Sequence, residues 1–345
     1  MAFSTTLKRA VTASAVATVM VFGPVLTAVA QVVSLNGAGA SFPAPLYERY
    51  AAEFKKKFPN IQVNYQAIGS GGGIRQTIAG TVDFGGSDAA MTDAQIAQVS
   101  KGVVLVPTAG GAVAVTYNLP GISNLKLSRR ALPDIFLGKI QRWNDPEIAK
   151  HNPGVNLPNT PIRPVVRSDG SGTTFIFSNH LSTINPFFKA RVGTSTAPRW
   201  LTATIKGRGN AGVAAQVSRT AGSVGYVELS YAQENKLATA LVQNSSGKFV
   251  APSVATADDA LDNIKFPKNY RVFIGDSREG YPIVGLTWLM VYKQYDATKG
   301  PAMQKWVDWI LTDGQKLNNS LGYTKIPPSV ARQVMNTVKS EMKIR

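Results

Sequence analysis

Downstream of Gln31 the chain alternates apolar runs of strand length with stretches of helical period. That alternation predicts an α/β protein built on mostly parallel sheets. Val32 to Leu35 reads as a strand entering the turn NGAGASFP. From about Ala44 to Phe58, the residues Leu46, Tyr50, Phe54 and Phe58 recur at i+4 and line one face of a helix, which Pro59-Asn60 ends. Ile61, Val63, Tyr65 and Ala67 then alternate as a strand, GSGGG breaks it, and a short helix is expected around Ile74 to Ala79.

Farther along, Val103 to Val106 reads as a strand that passes through Pro107 and Gly110-Gly111 into a second strand, Ala112 to Tyr117. So short a join does not make a βαβ unit, and the chain is expected to pass there from one domain to another. Leu127 to Trp143 is expected to be helical in part, and NPGVNLPNTPIRP reads as a loop. The run VVR, ending in Arg167, leads into SDGSGTT and a helix from Thr173 to His180. GSVGYVE reads as turn then strand, Ile283 to Tyr292 as strand, and Met303 to Leu311 as a helix carrying Trp306 and Ile310 at i+4.

Residues 1–30 depart from this pattern. Lys8 and Arg9 precede a run of small and apolar residues that closes on Ala28-Val29-Ala30, the layout of a cleaved secretory signal, so the mature chain is expected to begin near Gln31. No cysteine is present, which excludes disulfides, thiolate zinc sites and a lipidated cysteine anchor; a soluble extracytoplasmic protein is expected. With two histidines, a histidine-rich metal site is not expected either.

The formal charge of +17 favours anionic partners. Nucleic acid is not expected, because Lys and Arg are spread along the chain and no recognised binding pattern accompanies them. The run Lys55-Lys56-Lys57 reads as a solvated helix face, and Trp143 in KIQRWND as a half-buried packing residue.

Candidate chemistry centres on SDGSGTT. A nucleophile elbow needs Gly two residues either side of Ser171, and Asp169 and Thr173 stand there instead. A triad would need a histidine base, whereas His151 and His180 read as surface residues. Three loops share another design, in which a strand runs into small residues and a helix starts at once: Gly39-Ala40-Ser41-Phe42, Gly69-Ser70-Gly71-Gly72 and Gly170-Ser171-Gly172-Thr173. Unpaired N–H groups and the positive end of the dipole make such a place suited to an oxyanion. Alternatively, Ser41, Ser70 and Ser171 are simple helix N-caps. Arg167 offers a planar fork of donors for a tetrahedral oxyanion, and Asp169 is placed to hold that guanidinium.

The motifs GAGASFPAPLYERY, YQAIGSGGGIRQTIAGTVDFGGSDA, LGKIQRWNDPEI and VVRSDGSGTTFIF, with LGYTKIPPSV near the end, closely resemble the periplasmic phosphate-binding protein of the ABC-type phosphate importer. The resemblance implies a two-lobed type II binding-protein fold that closes on inorganic phosphate, with no cofactor, no metal and no covalent chemistry, and a monomer that delivers its ligand to a membrane permease. Lobe 1 would hold residues 31–111 and 285–345, lobe 2 residues 112–284, hinged near Gly110-Gly111 and Val284-Gly285. Carried over by position, the phosphate contacts fall on Ser41, the Phe42 N–H, Ser70, Asp88, Arg167, Ser171, Gly172 and Thr173, with Asp169 in support. Asp88 would accept a proton that phosphate carries and sulfate lacks; a helix cap is the other reading of that residue. The family commonly has Thr in place of Ser41 and Ser in place of Gly71; the first exchange keeps the hydroxyl, and the second keeps only a backbone donor. An exported phosphoesterase and a basic, surface-retained phosphate scavenger are the alternatives.

Overall fold

The computed structural model describes residues 1–2, 32–262 and 264–345, so the expected signal segment lies outside the described residues. Among the described residues, no helix is long and apolar enough to cross a membrane.

Residues 32–345 form one compact unit around a nine-stranded sheet. Its strands are β1 (Val33–Gly39), β2 (Ile61–Ala67), β3 (Phe84–Ser87), β4 (Val103–Tyr117), β5 (Arg163–Arg167), β6 (Ile205–Gly207), β7 (Ser223–Glu228), β8 (Ala238–Thr239) and β9 (Val284–Tyr292). The order is β2-β1-β3-β9-β4-β7-β5-β6, with β8 pairing to β4. The principal helices are α1 (Ala44–Lys57), α2 (Ser70–Ala79), α3 (Gly172–Ile184), α4 (Gly209–Arg219), α5 (Leu229–Glu234), α6 (Lys299–Ile310) and α7 (Pro328–Glu341).

Each end of the sheet is parallel, β2-β1-β3 on one side and β7-β5-β6 on the other. The middle is not. β9 runs antiparallel to both β3 and β4, and β4 is antiparallel to β7. The expectation of mostly parallel sheets is therefore corrected to a mixed sheet. The two long strands carry the chain across the molecule rather than through a helical crossover, so nothing requires them to run parallel.

β4 is also a correction, because it is one strand of 15 buried residues where two were expected. Residues 103–112 pair with β9, and residues 113–117 pair with β7. Pro107 is accommodated because the register with β9 shifts at Thr287/Trp288, a bulge that removes the need for its missing N–H. Gly110 continues the strand because a Cβ there would meet the side chains of Leu261 and Thr324 at 2.5 Å.

The predicted helix at Ala44 is found with the expected face inward: Leu46, Tyr50 and Phe54 are buried. Phe54 meets Trp306 of α6 edge to face at 5.0 Å, and fully burying such a side chain contributes about 1.5–3 kcal/mol. α2 starts at Ser70, four residues before the expected Ile74. Its glycines are poor helix formers, yet Gly73 is wedged where a Cβ would lie 2.6 Å from the Gly86 carbonyl oxygen, so close helix–sheet contact overrides propensity. Within Leu127 to Trp143 the helical part includes Ala131–Phe136. Trp143 is fully buried rather than half-buried, because its indole N–H finds the Gly222 carbonyl at 2.9 Å.

Candidate anion-binding site

Four strand-to-helix junctions meet at the sheet. They are β1 to α1, with Ser41 and Phe42; β2 to α2, with Gly69 and Ser70; β5 to α3, from Arg167 to Thr173; and β6 to α4, with Gly209 and Asn210. Asp88 follows β3 directly, and Thr287 reaches it from β9. Ser41, Ser70, Asp88, Arg167, Ser171, Thr173 and Asn210 are all buried.

The predicted residues gather in three linked groups. Ser70 Oγ accepts the N–H of Asp88 at 3.1 Å and that of Gly172 at 3.0 Å, and lies 3.5 Å from Asp88 Oδ2. Arg167 grips Asp169 with both ends of its fork, Nε to Oδ1 at 2.9 Å and a terminal nitrogen to Oδ2 at 2.5 Å, while its other terminal nitrogen donates to Thr173 Oγ1 at 3.3 Å. Ser41 Oγ accepts from Asn210, which also donates to Thr173. The Phe42 side chain lies in the core, 6.0 Å from the Tyr323 ring, so the backbone is what this residue brings to the junction.

Of the three serines with an alternative reading as caps, only Ser171 caps a helix, accepting the Thr174 N–H at 3.0 Å; it makes no side-chain bond to the other predicted residues. Ser70 is the first residue of α2 and follows Gly69, and α1 is preceded by Pro43. Asp88 caps no helix; Thr92 caps the next one. The Gly71 N–H donates to the Gly170 carbonyl at 2.9 Å, and a Cβ on Gly71 would stand 3.3 Å from Gly170 Cα, so the donor retained there fastens two loops together.

Two glycines are dictated by close approach. Gly69 has φ +86°, and a Cβ on it would sit 2.2 Å from Asp169 Oδ2. At Gly172 a Cβ would sit 2.4 Å from Ser70 Oγ and 2.5 Å from Asp88 Oδ2. The chain segments are packed too tightly here for any side chain.

Burial sets the electrostatics. It pushes the Asp88 carboxyl up to about 7, against the Thr287 hydrogen bond at 2.8 Å and the Arg167 charge, which pull down. Burial also acts to raise Asp169, but the Arg167 bonds and charge outweigh it and hold that carboxyl below its ordinary value. One carboxylate thus stays ionised against the guanidinium, and the other is free to exchange a proton near neutrality.

Sequence reasoning missed four participants. Asn210 stands on a fourth junction of the same design, KGRGNAG, and that strand–glycine–helix pattern could have revealed it. Thr287 and Glu228 are polar residues in largely apolar strands, and Tyr231 lies on a buried helix face, donating to the Ser41 carbonyl at 2.6 Å. Burial pushes the Glu228 carboxyl up to about 8. His180 is a correction: it is buried on α3, its Nδ1 is 3.0 Å from the Gly275 carbonyl, and burial pulls it down to about 4. The helix face that carries it packs on residues 274–276 rather than facing solvent.

Fold and site together define a periplasmic-type binding protein, and residues 25–314 match the PBP superfamily domain. The chain belongs to the PstS phosphate-binding protein family. It is 40% identical over 318 residues to the phosphate-binding protein PstS of Xylella fastidiosa, covering 90% of this chain and 86% of the relative. With the Haemophilus influenzae protein of the same name it shares 41% identity over 323 residues, covering 91% and 95%. Among solved structures, the phosphate-binding protein of Stenotrophomonas maltophilia superposes with a TM-score of 0.72 at 19% identity, over 90% of this chain and 94% of that one. A periplasmic phosphate-binding protein called PfluDING, bound with phosphate, gives a TM-score of 0.75 at 20% identity, over 89% and 93%. The fold shared with them is the two-lobed one.

Proposed function

We propose that this protein captures inorganic phosphate outside the cytoplasm and delivers it to the permease of an ABC-type importer, acting as a soluble monomer exported by its N-terminal signal. The observation that carries the reading is the convergence of serine and threonine hydroxyls at helix starts from both ends of the sheet with a fixed guanidinium and one buried carboxylate at strand ends. Donors satisfy the bare phosphate oxygens. Asp88, whose second oxygen faces Ser70, takes the proton that phosphate retains at neutral pH.

In this reading residues 31–111 with 285–345 form one lobe and residues 112–284 the other. The chain crosses between them where β4 exchanges β9 for β7, near Ala112, and again at the start of β9. Ser41, Ser70 and Asp88 then belong to one lobe, and Arg167 and Ser171 to Thr173 to the other, so an anion touching both sets favours the closed state. A charge-assisted hydrogen bond contributes about 1.5–3 kcal/mol, and five or six of them exceed the roughly 8 kcal/mol of micromolar binding, leaving a surplus against desolvation and closure.

The test is calorimetric titration of phosphate, then sulfate, into protein unfolded and refolded to strip bound ligand. One-to-one phosphate binding at micromolar affinity or tighter, with sulfate silent, is expected. A folded protein silent toward phosphate sinks the proposal.

A further inference from the structure

We propose that Asn210 is a positioning residue that fixes the polarity of two hydroxyls so that they can only donate to the bound anion. The proposal rests on the phosphate reading above and assigns a role to a residue that does not itself touch the ligand.

A hydroxyl has one hydrogen and two lone pairs, and left free it can present either to a neighbour. Ser41 Oγ accepts from the Asn210 backbone N–H at 3.1 Å and from Asn210 Nδ2 at 3.0 Å, which occupies both lone pairs. Thr173 Oγ1 accepts from Asn210 Nδ2 at 3.1 Å and from Arg167 at 3.3 Å, which occupies both of its own. Each oxygen therefore has only its hydrogen left to offer.

The Asn210 amide is itself oriented. Its Oδ1 accepts the Glu228 backbone N–H at 3.0 Å, and a backbone N–H can only donate, so Nδ2 must face the two hydroxyls. Both amide hydrogens are then spent, one on Ser41 and one on Thr173, which leaves the side chain nothing to give an anion. Burial with no accessible surface keeps water from replacing any of these bonds. Ser41 stands at the β1 end of the sheet and Asn210 and Thr173 at the other, so the Ser41 hydroxyl is fixed only when the two sides are apposed.

The consequence is an asymmetric site. Ser41 and Thr173 cannot rotate to accept from a ligand proton, which leaves that task to Asp88 and discourages ligands that must donate elsewhere.

The test is phosphate titration of the refolded full chain carrying N210A, S41A and T173V singly and in combination, with the ligand-free melting temperature of each. N210A is expected to weaken phosphate binding about ten- to hundredfold in the otherwise native protein, the range of one lost charge-assisted bond. In the S41A/T173V background the same change should cost less than about threefold, because the hydroxyls through which it acts are gone. N210D is the second variant. It keeps an acceptor for the Glu228 N–H and preserves shape, but its second oxygen accepts where the amide donated and draws the Ser41 and Thr173 hydrogens away from the ligand, so a loss of at least about a hundredfold is expected.

An equal factor for N210A in both backgrounds would mean a direct or merely structural role and would overturn the proposal, as would N210D binding phosphate like the native chain. Either result alongside normal native binding refutes the Asn210 role alone. Silence of the folded native protein toward phosphate takes the phosphate reading down and this proposal with it. If N210A does not fold, N210D decides.

Discussion

Replacing Asp88 by Asn changes one atom and tests the logic of anion choice. Asp88 Oδ1 is held by the Thr287 hydroxyl at 2.8 Å, which leaves Oδ2 toward Ser70 and the site. Thr287 would hold the carbonyl of Asn in the same way and turn its NH2 inward, converting an acceptor into a donor. Phosphate then loses one charge-assisted bond, about 1.5–3 kcal/mol. The repulsion between net charges is common to both anions; what sulfate gains is a donated hydrogen bond, of similar size, where a bare oxygen faced a carboxylate lone pair. Allowing for the surrounding donors, the preference should fall by about 3–5 kcal/mol, at least a hundredfold. The assay is calorimetric titration of each anion, with phosphate-displacement titrations where sulfate binds weakly. The native protein carries its own control, since an Asp88 carboxyl raised to about 7 by burial is largely protonated at pH 5 and ionised at pH 8. Sulfate should therefore compete measurably at pH 5 and be excluded at pH 8, whereas D88N should accept it at both. A phosphate-to-sulfate ratio unchanged within threefold in D88N would refute the argument, because it would mean that the carboxylate faces no ligand oxygen.

Three other outcomes follow from the same geometry. Burial raises both Asp88, from 3.8 to about 7, and Glu228, from 4.5 to about 8, so the folded chain holds protons that the unfolded chain releases; the stability they contribute is complete below about pH 4 and is lost as pH rises toward 8. Urea midpoints of ligand-free protein should fall from pH 5.5 to pH 8.5, and a D88N/E228Q variant should flatten that slope; a rising midpoint contradicts the sign. Arg167→Lys should weaken phosphate about a hundredfold or more, since one ammonium cannot span both Asp169 oxygens, Thr173 and an anion at once; an affinity within fivefold of native would show that the fork is dispensable. Gly172→Ala would place a methyl within 2.5 Å of Ser70 Oγ and Asp88 Oδ2, so small-angle scattering should register no compaction on adding phosphate, and compaction at native phosphate levels would mean that these loops part in the bound state.

Local pattern carried much of the architecture. The i+4 apolar stripe from Leu46 to Phe54 does face the core, and each of the three predicted glycine loops does join a strand to a helix. What pattern could not carry was partnership between distant segments. Pro107 and Gly110-Gly111 look like breaks because those residues usually interrupt strands. They continue one here because β9, some 180 residues later, supplies the bulge, and because Leu261, Leu286 and Thr324 fill the space a side chain would need at Gly110. The direction of β9 was equally illegible, since a buried strand shows the same apolar run in a parallel or an antiparallel setting.

The site was legible in proportion to how near each residue stands to a glycine-marked turn. Ser41, Ser70 and Arg167 to Thr173 announce themselves because backbone approach demands glycine around them. Asn210 carries the same mark and was missed because no motif in the resemblance includes it. Thr287 and Glu228 had no mark at all. A lone Thr or Glu in an apolar strand is indistinguishable in sequence from one facing solvent, and only the fold shows that Thr287 reaches Asp88 and that the Glu228 N–H reaches Asn210. The division has a physical cause. Residues that bind an anion must sit where backbone donors are free, and helix starts write that requirement into the sequence as small residues. Residues that set which way a donor points need only a buried polar partner, which any element can supply. If the proposed roles of Asp88 and Asn210 hold, selectivity is encoded largely in tertiary contacts, and a chain that kept every glycine loop of this family while losing Asn210 or Thr287 is expected to distinguish oxyanions less well.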